Sequence, residues 1–193
     1  VSGRWPGPVW KGETVFIIGG GFSLTHEIAA RIAGRPSIVI NAAARIATEA
    51  SYLLFSDLSF FEAYRPLLGQ WRRRVMTTNA TAARRDGGLV LVPPEALPPF
   101  DRLSTGHLAV SVATALGAAR VVLVAFDARV REDGRSHAVD DYSRTPRIYE
   151  KFVRDWGPTA IRAAAASVDL INATPGSAIP DRFVRGVALD DIL

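Results

Sequence analysis

Short apolar runs of strand length recur along the chain, separated by polar turns and amphipathic stretches. Residues 14–18, 37–40, 52–55, 121–126 and 168–172 are rich in β-branched and aromatic side chains and read as strands. Residues 23–32, 58–64, 103–117 and 147–166 carry apolar positions at helical spacing, with Pro66 and Gly117 as stop signals for the second and third. The unit of strand, polar residue at its carboxyl end and helix repeats, which predicts an α/β fold: a single Rossmann-like domain, a mostly parallel sheet with helices on both faces. Right-handed crossovers then bring every strand end to one rim. Residues 1–13, with Trp5 and Trp10, read as an irregular N-terminal arm that covers a sheet edge or contacts a second subunit. Residues 14–193 form the Rossmann-like domain on this reading. Residues 42–47 are a short helix or turn. Between 67 and 100 the pattern thins: 72–77 and 88–92 could be strands, 78–85 fits no period, and the proline pairs at 93–94 and 98–99 exclude a central strand.

The polar residues at the strand ends are the candidate site. Gly19, Gly20 and Gly21 follow the first strand, in an arrangement that is neither the GxGxxG dinucleotide fingerprint nor a P-loop. Glycines permit positive φ and a close approach of backbone to ligand, and the helix after them would present free N–H groups to a phosphate. Ser23 suits either a helix N-cap or an anion contact. Asn41, at the end of the second strand, would contact a ligand or close the strand in an Asx turn. Ser56 and Asp57 end the third strand. Ser104, Thr105 and Gly106 open a second glycine-containing helix, with Ser104 or Thr105 as cap, and Asp127 ends the central strand. The loop over residues 128–146 is longer and more polar than a connector needs. His137 within it can exchange protons near neutral pH, Tyr142 can donate a hydrogen bond, and Arg144 can neutralise a departing phosphate.

Composition narrows the classes. The chain has 193 residues, 48% of them hydrophobic, enough to bury a core. No window holds the roughly 18 uninterrupted apolar residues of a membrane helix, and no signal-like run opens the sequence, so the expectation is a cytoplasmic protein. Cysteine is absent, which removes thiolate metal sites and thiol catalysis. The formal charge of +4 comes from scattered arginines, with one run at residues 72–74, and argues for a small-molecule substrate over nucleic acid. His26, His107 and His137 have no zinc spacing, and no metal site is assigned. Asp57, Asp127 and Asp141 are carboxylates that could meet a phosphate-bound divalent ion. His26 and His107 fall in first turns of helices, whose positive ends should keep both neutral.

Taken in order, Gly19–Leu24, Asn41, Ser104–Gly106, residues 116–127 and residues 172–177 resemble a group of proteins found in bacteriophages and prophages. That group is similar both to bacterial sialyltransferases that use CMP-sialic acid and to the DUF115 group with its archaeal 6-hydroxymethylpterin diphosphokinase. The resemblance implies a transferase with a nucleotide or nucleotide-sugar donor. Gly19, Gly21 and Ser23 would hold the nucleotide phosphate, Asn41 the sugar or base, and Ser104, Thr105 and Gly106 would lie near the nucleotide. His137 and Tyr142 would stand where the sialyltransferases use two tyrosines to assist departure of the phosphate. Phe22 replaces that family's proline, Ser56 its asparagine, and its catalytic histidine and acceptor lid have no counterpart. On the diphosphokinase reading the donor is ATP and magnesium is required. A third reading keeps the fold in a non-catalytic phage accessory protein, and a homo-oligomer fits the tryptophan-bearing arm.

Overall fold

The computed structural model describes residues 3–71, 74–97, 104–139 and 146–193. Among these residues, eight strands form one sheet: β1 (Thr14–Ile18), β2 (Ser37–Ile40), β3 (Tyr52–Phe55), β4 (Val75–Thr77), β5 (Val90–Leu91), β6 (Arg120–Val124), β7 (Asp169–Asn172) and β8 (Arg185–Gly186). Their spatial order is β5-β4-β3-β2-β1-β6-β7-β8, and every pairing is parallel. The expected α/β Rossmann-like architecture is therefore present. Both of its faces are covered, because side chains alternate along each strand between two separate cores. Phe16, Ile18, Val39, Leu53, Phe55, Val122 and Val124 pack on one side with α1 (His26–Ile32) and α2 (Leu58–Ala63). Val15, Ile17, Ile38, Leu54, Val121 and Leu123 pack on the other with α5 (Thr105–Ala115) and α6 (Pro146–Ala165). The chain runs outward from β1 to β5, returns through α5 to β6 beside β1, and then runs outward the other way. The strand order thus reverses between β1 and β6, the place where open parallel sheets bind ligands.

The weakly patterned middle resolves into short elements. Residues 78–85 become α4 (Ala80–Arg85), capped by the Asn79 side chain, which accepts from the Ala82 N–H at 3.0 Å. The fourth strand is Val75–Thr77, shorter than the expected 72–77, and Arg72 and Arg73 lie outside the described residues. Pro66 does not end the second helix. That helix stops before Tyr64, and Pro66 sits in the first turn of α3 (Arg65–Gln70), where its missing N–H has no partner to lose. The arm covers an edge: Gly3 bridges Val90 of the outer strand β5 and donates to the Gly87 carbonyl at 3.1 Å. Farther along it, Trp10 is buried against Tyr52, with ring centroids 5.4 Å apart. No helix among the described residues is long and apolar enough to cross a membrane.

Candidate functional site

A cavity of about 500 Å³ opens above the β1/β6 reversal. Gly19, Gly20, Gly21, Asn41, Ser56, Asp57, Ser104, Thr105, Gly106, Asp127 and His137 all line it. Tyr142 and Arg144, like Asp141, lie outside the described residues.

The glycine turn works by proximity. None of Gly19, Gly20 and Gly21 has positive φ. A Cβ on Gly19 would stand 2.6 Å from the Ala125 carbonyl oxygen, and one on Gly21 would collide with Asp127 Oδ2. The amides are also unequal. Gly19 N donates to the Val124 carbonyl at 2.8 Å and Gly21 N to Ala125 at 2.9 Å, so the turn is stitched to the end of β6. Among the described residues only the Gly20 amide of the three is left without an acceptor. A Cβ there would meet nothing nearer than His137 Cδ2 at 3.6 Å.

Ser23 is not the cap of α1. Thr25 is, accepting from the Ile28 N–H at 3.1 Å, because the turn extends two residues farther than the apolar period suggests. Ser23 instead binds Asp127: its hydroxyl donates to Oδ2 at 2.8 Å and its backbone N–H to the same oxygen at 3.2 Å. Asp127 is 1% exposed, and among the described residues its Oδ1 has no hydrogen-bond partner. Burial raises its pKa above the ordinary carboxylate value, against the lowering effect of the Ser23 hydrogen bonds and of Arg129. The backbone around it is strained, with Ala125 and Ala128 in the left-handed region at φ 57° and 52°. Residues 174–178 hold it there. Thr174 Oγ1 accepts from Phe126 N at 2.8 Å, Ser177 Oγ donates to the Phe126 carbonyl at 2.6 Å, and Ala178 N donates to the Asp127 carbonyl at 2.9 Å. The hydroxyls of that turn thus brace the β6 end.

Asn41 also takes a left-handed conformation, φ 50°, at the start of a short 3-10 turn over Asn41–Arg45. Among the described residues its buried Oδ1 has no hydrogen-bond partner, so no Asx turn forms there. Ser56 and Thr105 tie β3 to the start of α5 through hydroxyls 2.7 Å apart. Asp57 is exposed at the cavity edge, and its side chain makes no cap bond to α2. Among the described residues no three His, Cys, Asp or Glu side chains come together around a common point.

Ser104 occupies the cap position of α5, yet its hydroxyl makes no cap bond and lies 2.6 Å from His107 Nδ1. Among the described residues the first N–H groups of α5 have no acceptor, and Ser104, Thr105 and Gly106 line the cavity, so the positive end of the helix lies at its wall. Gly106 is needed for contact with Phe126, whose ring would be 2.6 Å from a Cβ there. His107 is 0% exposed, and burial pushes its pKa down to about 4. The expected neutrality thus has burial as its main cause. His26 is exposed on α1 and away from the cavity lining.

After β6 the chain folds back on the glycine turn. His137 bridges Gly21, and Ala138 N donates to the Gly20 carbonyl at 3.0 Å. The His137 ring lies beside Gly20, with Nδ1 2.8 Å from Ser136 Oγ. Phe22, where the resembled family has proline, has the guanidinium groups of Arg129 and Arg131 over its ring at 5.6 and 5.7 Å, which fastens the start of this loop. Tyr149, Phe152 and Trp156 on α6 close the far wall. Sequence reading missed them as site residues: positions 152 and 156 were expected only as an apolar helix side, and a wall of a crevice has the same spacing as a core stripe.

No family model and no curated protein sequence matches the chain. Among solved structures, the sialyltransferase CstII from Campylobacter jejuni, in complex with the substrate analogue cytidine-5'-monophosphate, is similar over 92% of this chain and 86% of that one. The TM-score is 0.59 and the identity 16%. A doubly substituted variant of a short-chain dehydrogenase/reductase from Serratia marcescens aligns over 85% of this chain and 74% of that one, at 15% identity and a TM-score of 0.27, too low to support an argument. The chain shares the fold of the CstII sialyltransferase across nearly its whole length, and at this identity it is the fold alone that is shared.

Proposed function

We propose that the protein is a nucleotide-binding transferase of glycosyltransferase type that uses a CMP-sugar-type donor. The observation that carries this reading is the convergence, in one cavity at the strand-order reversal, of two kinds of open polar group. Donors are the Gly20 amide and the first N–H groups of α5. Acceptors are the unpartnered Oδ1 atoms of Asn41 and Asp127. A nucleoside monophosphate needs both, N–H donors for its phosphate and acceptors for ribose and base. The cavity volume lies in the usual range for such ligands. The fold likeness to a sialyltransferase agrees with this choice and does not by itself select the reaction.

In the proposed reaction an acceptor hydroxyl oxygen attacks the anomeric carbon of the donor sugar. The bond from that carbon to the phosphate oxygen breaks, and its electron pair leaves with the nucleoside monophosphate. The acceptor proton passes to a base or to water. Charge develops on the departing phosphate, where the start of α5 and the Gly20 amide stabilise it and His137 donates a hydrogen bond or proton. Tyr142 keeps here the role that the family resemblance gives it, and Arg144 the charge neutralisation read from the loop's own chemistry, both assisting that departure.

The test is a thermal-shift and calorimetric series with CMP, a CMP-sugar, and ATP with and without magnesium. A ligand bound only by the folded state raises the melting temperature. Stabilisation by CMP and the CMP-sugar is expected. Stabilisation by ATP with magnesium alone would replace this reading with the diphosphokinase one, and no response to any of them would favour the non-catalytic one. His137→Ala should then retain CMP binding and lose turnover of the donor by about 100-fold or more.

A further inference from the structure

A second cavity, of about 260 Å³, shares no lining residue with the first. Its floor is the second half of α5, roughly 10 Å along that helix from the start that meets the first cavity. The 3-10 turn Pro94–Ala96 forms one wall and the end of α6 the other, and both pack on α5. Opposite charges stand on the two walls. Arg162, on α6, donates from Nη2 to Thr159 Oγ1 at 3.0 Å, and its Nε is buried with no acceptor among the described residues. Glu95, on the 3-10 turn, is exposed. Among the described residues neither forms an ion pair, so the two do not close on each other across the gap.

A buried N–H of a charged group costs stability when nothing accepts from it, and a carboxylate is the acceptor whose shape fits a guanidinium. A simple anion would be drawn to Arg162 and repelled by Glu95. A simple cation would meet the reverse. A zwitterion satisfies both, and the two charges of an α-amino acid, set one carbon apart, can bridge a gap too wide for a direct ion pair. The rest of the lining is small and apolar, with Ala96, Val110, Ala115 and Ala163. That surface suits an aliphatic side chain. The volume falls below the usual range for drug-sized ligands, which fits a molecule much smaller than a nucleotide.

We propose that this cavity is a second ligand site, which binds a free α-amino acid with a small aliphatic side chain. The carboxylate lies on Arg162, the ammonium group on Glu95, and the side chain over Val110, Ala115 and Ala163. The site only binds, and no bond is made or broken there. It does not rest on the nucleotide reading.

Calorimetry and amide NMR of the full chain with L-valine test it. Saturable binding is expected, with a Kd of about 1 mM or tighter, together with shifts of the Ser111, Thr114 and Ala163 amide signals. Two analogues separate the charges: 3-methylbutanoate lacks the ammonium group and 2-methylpropylamine lacks the carboxylate. Each should bind at least about 10-fold more weakly than L-valine. Arg162→Gln and Glu95→Gln should each weaken L-valine by about 10-fold or more. Glu95 is exposed and makes no ion pair or hydrogen bond among the described residues, so its variant keeps the fold and decides the matter if Arg162→Gln does not fold. Excess CMP should leave L-valine binding unchanged. Absence of saturable binding would overturn the proposal, as would equal binding of 3-methylbutanoate or unchanged affinity in Glu95→Gln. Competition by CMP would put the amino acid in the first cavity and overturn it as well.

Discussion

The two glycine-containing helix starts look alike in sequence and do different work. At Gly19–Ser23 two of three glycine amides are used to join β1 to β6, Ser23 is committed to Asp127, and α1 begins farther on, capped by Thr25. At Ser104–Gly106 the helix begins at the cavity itself, and its cap residue faces a histidine. The first start is a joint with one free N–H. The second is an open helix end. Glycine after a strand therefore signals close approach of backbone, and what approaches can be the protein itself as readily as a ligand.

The largest expected effect breaks the joint. Gly21→Ala places a Cβ on Asp127 Oδ2 and 2.5 Å from the Ala125 carbonyl, and backbone on one side leaves little room to yield. A loss of about 3 kcal/mol or more is expected in urea unfolding. Gly20→Ala, whose nearest neighbours are in ordinary contact, should change stability by less than about 1 kcal/mol while weakening CMP binding. Equal losses of stability from both would end the distinction drawn within this turn.

The second effect comes from the open helix end. His107 titrates near 6.5 in an unfolded chain and at about 4 in the folded one, so the folded state holds fewer protons between those values. Its contribution is fully present above about pH 6.5 and is lost as the pH falls through about 4. Parent and His107→Phe should therefore converge or cross on acidification, by about 3 kcal/mol in differential stability. Parallel pH profiles for the two would contradict the buried, neutral ring.

A smaller effect separates the caps. Thr25→Ala removes a cap bond and should cost about 1 kcal/mol with CMP affinity intact. Ser104→Ala removes no cap bond, so its loss of CMP affinity should be the larger of the two, while its stability falls through the hydrogen bond that buried His107 loses. The reverse ranking would mean that the open start is α1.

The last effect is a direction. Burial raises the Asp127 pKa, so the folded chain holds that proton to higher pH than the unfolded chain. The resulting stability is full below the ordinary carboxylate range and is lost as the pH rises through the raised value. Asp127→Asn, which can still accept from Ser23, should thus gain relative to the parent at neutral pH, and the gain should vanish by about pH 3. Unfolding both proteins in urea across that range checks it.

The long β-branched strands and their rim were legible, because a central parallel strand is apolar on both sides and its end must be polar. The 67–100 region was not, because β5 is two residues long and α4 only six, too short for either period to declare itself. Asn79, a cap three residues before Ala82, was the overlooked signal there. Within the site, Asn41 stands directly after β2 as expected, whereas β6 ends at Val124, short of the expected 126, and Asp127 lies three residues farther on, past the left-handed Ala125. The contact of Ser23 with Asp127 joins positions 104 residues apart, which no local pattern encodes. Tyr149, Phe152 and Trp156 were hidden for a different reason, since aromatic side chains on a helix give the same spacing whether they face a core or a crevice.

The pairing of β6 with β1 also has a consequence in time. Strands β1 to β5 can assemble in the order in which they are made, each beside its predecessor, but the cavity has no second wall until β6 returns across that long separation to the middle of the sheet. Non-local parallel pairing of this kind forms slowly. A ligand that spans Gly20 and Asp127 would bridge the seam between the two halves of the sheet, and it would slow their separation when the protein unfolds.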